Sequence, residues 1–178
     1  MEILASNFSL GENEICLNEK YKDVERLVEK TGIQSVWETN GNIISLAVKS
    51  CKDIVNDQSK KEINILILVT QSPHDFLPAN SITLANELGL KNTIFTFDFN
   101  QGCSGFVQAF LVMNHLISTY KTGLIVTADC YRGKLHPDDR STNAVFSDGA
   151  AAMLFKENKS IKILFEDTIT DGSKRDWL

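Results

Sequence analysis

The sequence predicts an α/β layered domain on a largely parallel sheet, and three observations carry that reading. Ile63-Asn64-Ile65-Leu66-Ile67-Leu68-Val69-Thr70 and Leu124-Ile125-Val126-Thr127-Ala128-Asp129 are β-branched runs of strand length. They read as strands covered on both faces, as parallel strands are. Segments with helical spacing alternate with such runs through the middle of the chain. The 178 residues, 43% hydrophobic and 23% charged, can bury one good core, and no linker, repeat or low-complexity tract interrupts them. Residues 1–178 therefore read as a single domain.

In chain order, Ile3 to Leu10 reads as a first strand ending at Gly11-Glu12-Asn13. Tyr21 to Lys30 is a modest amphipathic helix closed by Thr31-Gly32, where glycine suits a left-handed cap. Ile33 to Trp37 is extended, and positions 44, 47, 48, 51, 54 and 55 then repeat with helical period to about Asn56. Asp57 to Lys61 reads as a polar loop before the strand at Ile63. Ser72 to Pro78 is a loop with two prolines, and Asn80 is a candidate cap for a helix ending at Leu88-Gly89. Ile94 to Phe99 alternates like a strand, and Phe106 to Tyr120 is apolar on nearly every face, like a buried helix. After the strand at Leu124 comes a polar loop, Tyr131 to Asn143, and then a strand pair, Phe146 to Phe155 and Ile161 to Thr168.

Composition excludes several function classes. A net charge of -5 and a pI near 5.2, without a basic run, argue against a nucleic-acid partner. The apolar runs are strand-sized, which argues against a membrane span. Met1 to Asn7 lacks the pattern of a secretory signal. Cys16, Cys51, Cys103 and Cys130 are widely spaced with no Cys-x-x-Cys pair. That argues against zinc, any other metal centre and a disulfide framework, and points to the reducing cytoplasm.

The candidate site is Phe97-Asp98-Phe99-Asn100-Gln101-Gly102-Cys103-Ser104-Gly105-Phe106. Cys103 sits where a strand ends and a helix begins, with glycines at 102 and 105 that permit a sharp turn and close backbone approach. A helix N-terminus offers free N–H groups and positive partial charge, which favour a thiolate. Position alone fits a nucleophile and a small core residue equally well.

The wording around Cys103 resembles the nucleophile segment of the β-ketoacyl-acyl-carrier-protein synthase III family, thiolase-fold condensing enzymes. Lys30-Thr31-Gly32-Ile33 is similar to that family's basic-Thr-Gly-Ile element, and Asp139-Arg140-Ser141-Thr142 to its Asp-Arg-x-Thr loop. Phe146-Ser147-Asp148-Gly149-Ala150-Ala151-Ala152 resembles its Phe-Gly-Asp-Gly-Ala-Gly-Ala strand, and Asp171-Gly172-Ser173 follows at the matching place. The resemblance implies a mixed, mostly parallel five-stranded sheet with helices on both faces, forming the N-terminal half of a protein about twice this long. It also implies that Cys103 takes an acyl group from a coenzyme A or acyl-carrier-protein thioester. In the complete protein the group would be condensed with malonyl-carrier protein. The thioester is a substrate, and no bound cofactor is implied.

The resemblance further implies donor-binding roles for Lys30 and Arg140, a homodimer, and a Leu77 that crosses the dimer interface into the neighbouring acyl pocket. Read without it, Lys30 is a lysine at a helix end, Arg140 a surface residue of an Arg–Asp loop, and Leu77 a buried loop leucine. Asp148 reads as a buried hydrogen-bond partner or a strand-edge turn residue. The family's catalytic His and Asn come from the second half. His74, His115 and His136 match neither, and His115 lies twelve residues after Cys103, about 18 Å along the helix. Condensation by this chain alone is not expected. The sequence departs from the family at Arg26, where an aromatic is usual, at Gln101 and Gly102, where alanines are, and at Ser147, where a glycine is. Two other functions remain open. The acyl group could pass to an alcohol or amine, or the chain could be a non-catalytic half-length dimer partner or carrier-binding module.

Overall fold

Ile65-Leu66-Ile67-Leu68-Val69 is buried at all five positions, and the fold is layered around it. The computed structural model describes residues 1–22 and 24–177. Its elements are β1 (Glu2–Leu10), β2 (Asn13–Cys16), α1 (Leu17–Lys20), α2 (Glu25–Thr31), β3 (Ser35–Glu38), α3 (Ile43–Cys51) and α4 (Asp57–Glu62). There follow β4 (Ile65–Val69), α5 (Asn80–Glu87), β5 (Phe95–Phe99), α6 (Gly105–Tyr120), β6 (Thr122–Asp129), α7 (Arg140–Asn143) and β7 (Gly149–Lys156). Short 3-10 segments occupy Gly102–Ser104, Arg132–Lys134 and Gly172–Trp177.

The main sheet has five strands in the order β1-β7-β6-β4-β5. It is mixed, as expected: β4 is parallel to both β5 and β6, while β7 runs antiparallel to β6 and β1. Because strand side chains alternate, β4 supplies two cores. Leu66 and Leu68 join Leu124 and Val126 beneath α3 and α5. Ile65, Ile67 and Val69 join Ile125 against Ala109, Met113 and Ile117 of α6. Helices thus cover both faces. β2 and β3 form a separate two-stranded sheet, bound to the main one through the turn before β7. There Asp148 N–H donates to the Trp37 carbonyl at 2.7 Å, Trp37 N–H to Ser147 Oγ at 2.6 Å, and Thr39 N–H to Asp148 Oδ2 at 3.0 Å.

The structure corrects several sequence expectations. Ile161 to Thr168 is not a strand and does not pair with β7; its backbone is irregular and Leu164 and Phe165 are exposed. A strand needs a free edge to pair with, and β7, already between β1 and β6, offers none to this segment. Asp57 to Lys61 is helical rather than a loop, because the Asn56 side chain accepts the N–H groups of Gln58 and Ser59 while Ser59 Oγ accepts that of Asn56. The preceding helix stops at Cys51 instead of reaching Asn56. The helix expected from Tyr21 begins only at Glu25, although Gly32 closes it at φ 72° as expected. Asn80 is not a cap: it is the first residue of α5, and its Oδ1 accepts the N–H groups of His74 and Asp75. Asp98 of β5 caps α5 instead, its carboxylate accepting Asn80 N–H at 2.7 Å and Ser81 N–H at 2.8 Å. Finally, α6 is buried only along Gly105, Ala109, Met113 and Ile117, every fourth residue. Phe106 and Val107 on its first turn are exposed.

Candidate active site

Cys103 lies in the 3-10 turn Gly102–Ser104 between β5 and α6, at the carboxyl end of the parallel strands. Gly102 has φ 60°, a conformation that only glycine adopts without cost. Gly105 lets the helix start against the sheet, since a Cβ on it would lie 2.6 Å from Val69 Cγ1. The turn therefore seats α6 close on β4 and leaves Cys103 exposed. Exposure excludes the reading of Cys103 as a core residue. The first turn of α6 holds neither an acidic side chain nor a side-chain cap, so the positive end of this 16-residue helix faces the site uncompensated. By contrast, burial pushes the thiols of Cys51 and Cys130 up to about 12. The carboxylates of Asp148 and Asp129 add to the effect at Cys130.

Sequence reasoning missed the neighbours of Cys103. Asp129 Oδ1, at the end of β6, accepts Gln71 N–H at 2.8 Å, Ser72 N–H at 3.0 Å, Ser72 Oγ at 2.8 Å and Thr70 Oγ1 at 3.2 Å. One carboxylate thus pins the loop after β4. The Tyr131 hydroxyl donates to Gln71 Oε1 at 2.8 Å, and the Gln71 amide lies over Gly102. The available signal was topological: sites in α/β sheets form outside the carboxyl ends of parallel strands, which here bring together residues 71, 103 and 131.

Lys30 and Arg140 do meet, together with Arg26, Leu27 and Ser141, around an open cavity of about 420 Å³. The Arg140 guanidinium lies 5.6 Å from the centre of the Tyr21 ring, and Asp139 caps α7 through Thr142 N–H. Hydrogen bonds from Thr142 and Ser141 hold the Asp139 carboxyl below its usual range. Leu77 lies outside this cluster, 84% exposed in the loop before α5, so the buried-leucine reading is wrong. Asp148 is the buried hydrogen-bond partner, accepting Arg132 N–H at 2.9 Å as well as Thr39 N–H. Ser147 uses its hydroxyl to hold Trp37, which gives its departure from glycine a structural reason. Of the histidines, His115 contacts Glu166 at 3.1 Å, His136 accepts Asp138 N–H, and His74 lines a different cavity. A further open cavity of about 620 Å³ lies between Phe8, Phe106, Thr127 and Met153.

Comparison with known proteins fits this geometry. Residues 97–172, from β5 through Cys103 and Arg140 to Gly172, match a family described as 3-Oxoacyl-[acyl-carrier-protein (ACP)] synthase III. A beta-ketoacyl-[acyl-carrier-protein] synthase III of Lactococcus lactis is 31% identical over 156 residues, 84% of this chain and 48% of that protein. A crystal structure of 3-oxoacyl-(acyl-carrier-protein) synthase III superposes with a TM-score of 0.82 at 27% identity, over 90% of this chain and 51% of that one. The fold is shared by an HMG synthase of the curacin biosynthetic pathway in complex with holo donor-ACP, with a TM-score of 0.74 at 20% identity over 86% of this chain and 40% of that one. The chain spans about half the length of the curated relatives it matches. In sequence around the exposed cysteine and in the layering that presents it, the chain is similar to about half the length of β-ketoacyl-acyl-carrier-protein synthase III proteins and shares their thiolase-like fold.

Proposed function

We propose that Cys103 is the acyl-carrying nucleophile of a 3-oxoacyl-acyl-carrier-protein synthase III-like acyltransferase, and that this chain holds the loading half of the chemistry. The observation that carries the reading is the exposed sulfur at the positive end of α6, on a turn with Gly102 at φ 60°. The Cys103 sulfur attacks a thioester carbonyl, the donor's thiol leaves with the proton, and the backbone N–H of Cys103 is the candidate donor to the oxyanion between. Arg140, Lys30 and Arg26 form a cationic rim suited to the phosphates of coenzyme A or a phosphopantetheine arm. A carrier-protein donor is supported by the names of the relatives. Condensation with malonyl-carrier protein needs neutral donors to the enolate. His74, His115 and His136 supply none beside Cys103 among the described residues, so that step belongs to the complete protein.

A homodimer is supported by β5, an edge strand with Phe95 44% exposed, and by Leu77, which is free to reach a neighbour. No helix among the described residues is long and apolar enough to cross a membrane, and we assign the protein to the cytoplasm. Transfer to an alcohol or amine would use the same Cys103 and differ only at the acceptor. A self-contained non-catalytic module is disfavoured by the uncovered Phe8, Val107, Leu164 and Phe165. The test is intact-mass spectrometry with peptide mapping after mixing with acyl-coenzyme A thioesters and acyl-carrier proteins. An acyl mass on Cys103, absent from Cys103→Ala, is expected. An adduct that survives Cys103→Ala would overturn the assignment.

A further inference from the structure

The loops after β4, β5 and β6 meet at Cys103, and one side chain there is a donor with no acceptor among the described residues. Gln71 has its backbone fixed by Asp129, and its side chain reaches over the turn: a Cβ on Gly102 would lie 2.6 Å from Gln71 Nε2. The Tyr131 hydroxyl occupies the other end of the amide, donating to Oε1 at 2.8 Å. The Tyr131 ring is braced in turn by Phe146, with ring centroids 5.2 Å apart. The amide is therefore oriented, its NH2 group toward Gly102-Cys103 and without an acceptor among the described residues. Cys103 lies within electrostatic reach of Tyr131: burial, then the Asp129 carboxylate, then Cys103 raise its phenol above the usual value.

We propose that Gln71, held by Tyr131, sets acyl specificity: it favours acyl groups carrying an oxygen acceptor (hydroxyl, oxo or carboxylate) near the thioester carbon over plain alkyl groups of the same length. The proposal rests on Cys103 being the acylated residue. In loading, the bond from Cys103 Sγ to the acyl carbon forms, the donor's carbon–sulfur bond breaks, and the cysteine proton leaves on the donor thiol. The acyl chain then lies beside the Gln71 amide. An alkyl chain covers that amide and replaces its water with nothing, whereas an oxygen-bearing chain accepts its hydrogen bond. The tyrosine matters because, by donating to Oε1, it holds the amide in the orientation that presents its NH2 group to the chain.

The experiment compares initial rates of Cys103 acylation by 3-hydroxybutyryl- and butyryl-pantetheine, read by intact mass, for the full chain and for Gln71→Leu and Tyr131→Phe. Both variants keep the backbone N–H of Gln71 that Asp129 accepts, so the loop stays anchored. The unmodified chain is expected to favour the hydroxyacyl donor by about tenfold or more. Gln71→Leu should erase or invert the ratio while still loading butyryl, and Tyr131→Phe should reduce it. Equal rates in the unmodified chain, or a preference that survives Gln71→Leu, would overturn the proposal with Cys103 still acylated. Absence of any acyl adduct on Cys103, where iodoacetamide still alkylates it, would overturn the nucleophile assignment and the proposal with it.

Discussion

Four cysteines share this chain, and their surroundings sort them by reactivity. Cys103 is exposed, whereas Cys51 is wholly buried and its thiol is pushed from 9.0 up to about 12. Iodoacetamide at pH 8 should therefore modify Cys103 in the folded protein and reach Cys51 and Cys130 only after denaturation, which peptide mapping can check. The same burial makes stability fall in alkali. Folded Cys51 holds its proton more tightly than the unfolded chain does, so its contribution is intact below about pH 9 and is lost as pH rises toward 12. Denaturant titrations of the wild type minus Cys51→Ala should show a slope of about 1.4 kcal/mol per pH unit across that window, and none below it. At the cavity lined by Lys30 and Arg140, which we propose holds the donor's phosphates, Arg140→Ala should raise KM for the acyl donor roughly tenfold with little change in kcat, because such a contact, remote from the carbonyl, would be made equally in ground and transition states. Residue identities were the most legible level of the sequence. Cys103, Lys30 and Arg140 were candidates from the resemblance of their local segments, whereas Gln71 and Tyr131 carried no local signal, because their position beside Cys103 depends on three loops that only the sheet brings together.

At the scale of elements, the capping of α5 shows what local reading can and cannot see. A cap supplied by the preceding residue is at least local, as Asn42 with Ser45 and Asn56 with Ser59 show, although the reading of 57–61 as a loop passed over the second. A cap supplied by Asp98, eighteen residues after Asn80, is not. Asp98 also ties β5, and so the approach to Cys103, to the start of α5. Asp98→Ala removes two charge-assisted hydrogen bonds from backbone donors and should cost about 2–3 kcal/mol in urea denaturation. Asp98→Asn retains one acceptor oxygen and should recover part of that loss. The strand expected at Ile161 failed for a related reason: Ile161, Ile163, Leu164 and Phe165 are residues a strand favours, yet a strand is completed by a neighbour that local composition does not supply. The two central strands were legible because continuous apolar runs of that length require cover on both faces.

For the whole molecule, the telling feature is the unequal covering of the two sheet faces. Beneath α3 and α5 the core is closed, and β4 and β6 lie at its centre. On the other face α6 is held by a single stripe, Gly105, Ala109, Met113 and Ile117, while Val107 is exposed and Phe8 and Phe106 remain exposed beside the 620 Å³ cavity. A helix read as buried all round is buried on one side here, so its remaining apolar face calls for a further layer. Native-state hydrogen exchange measures this directly. In this chain the amides of β4 and β6 should exchange last, those of α6 markedly sooner, and those of 161–170 with little protection. In a chain extended to the length of its relatives, about twice that present here, the protection of α6 should rise to that of β4 and β6. If α6 is already as protected as the central strands, or is unchanged on extension, that face is not an interface. The half-length module, rather than the acyl-loading half of a larger enzyme, would then be the better reading.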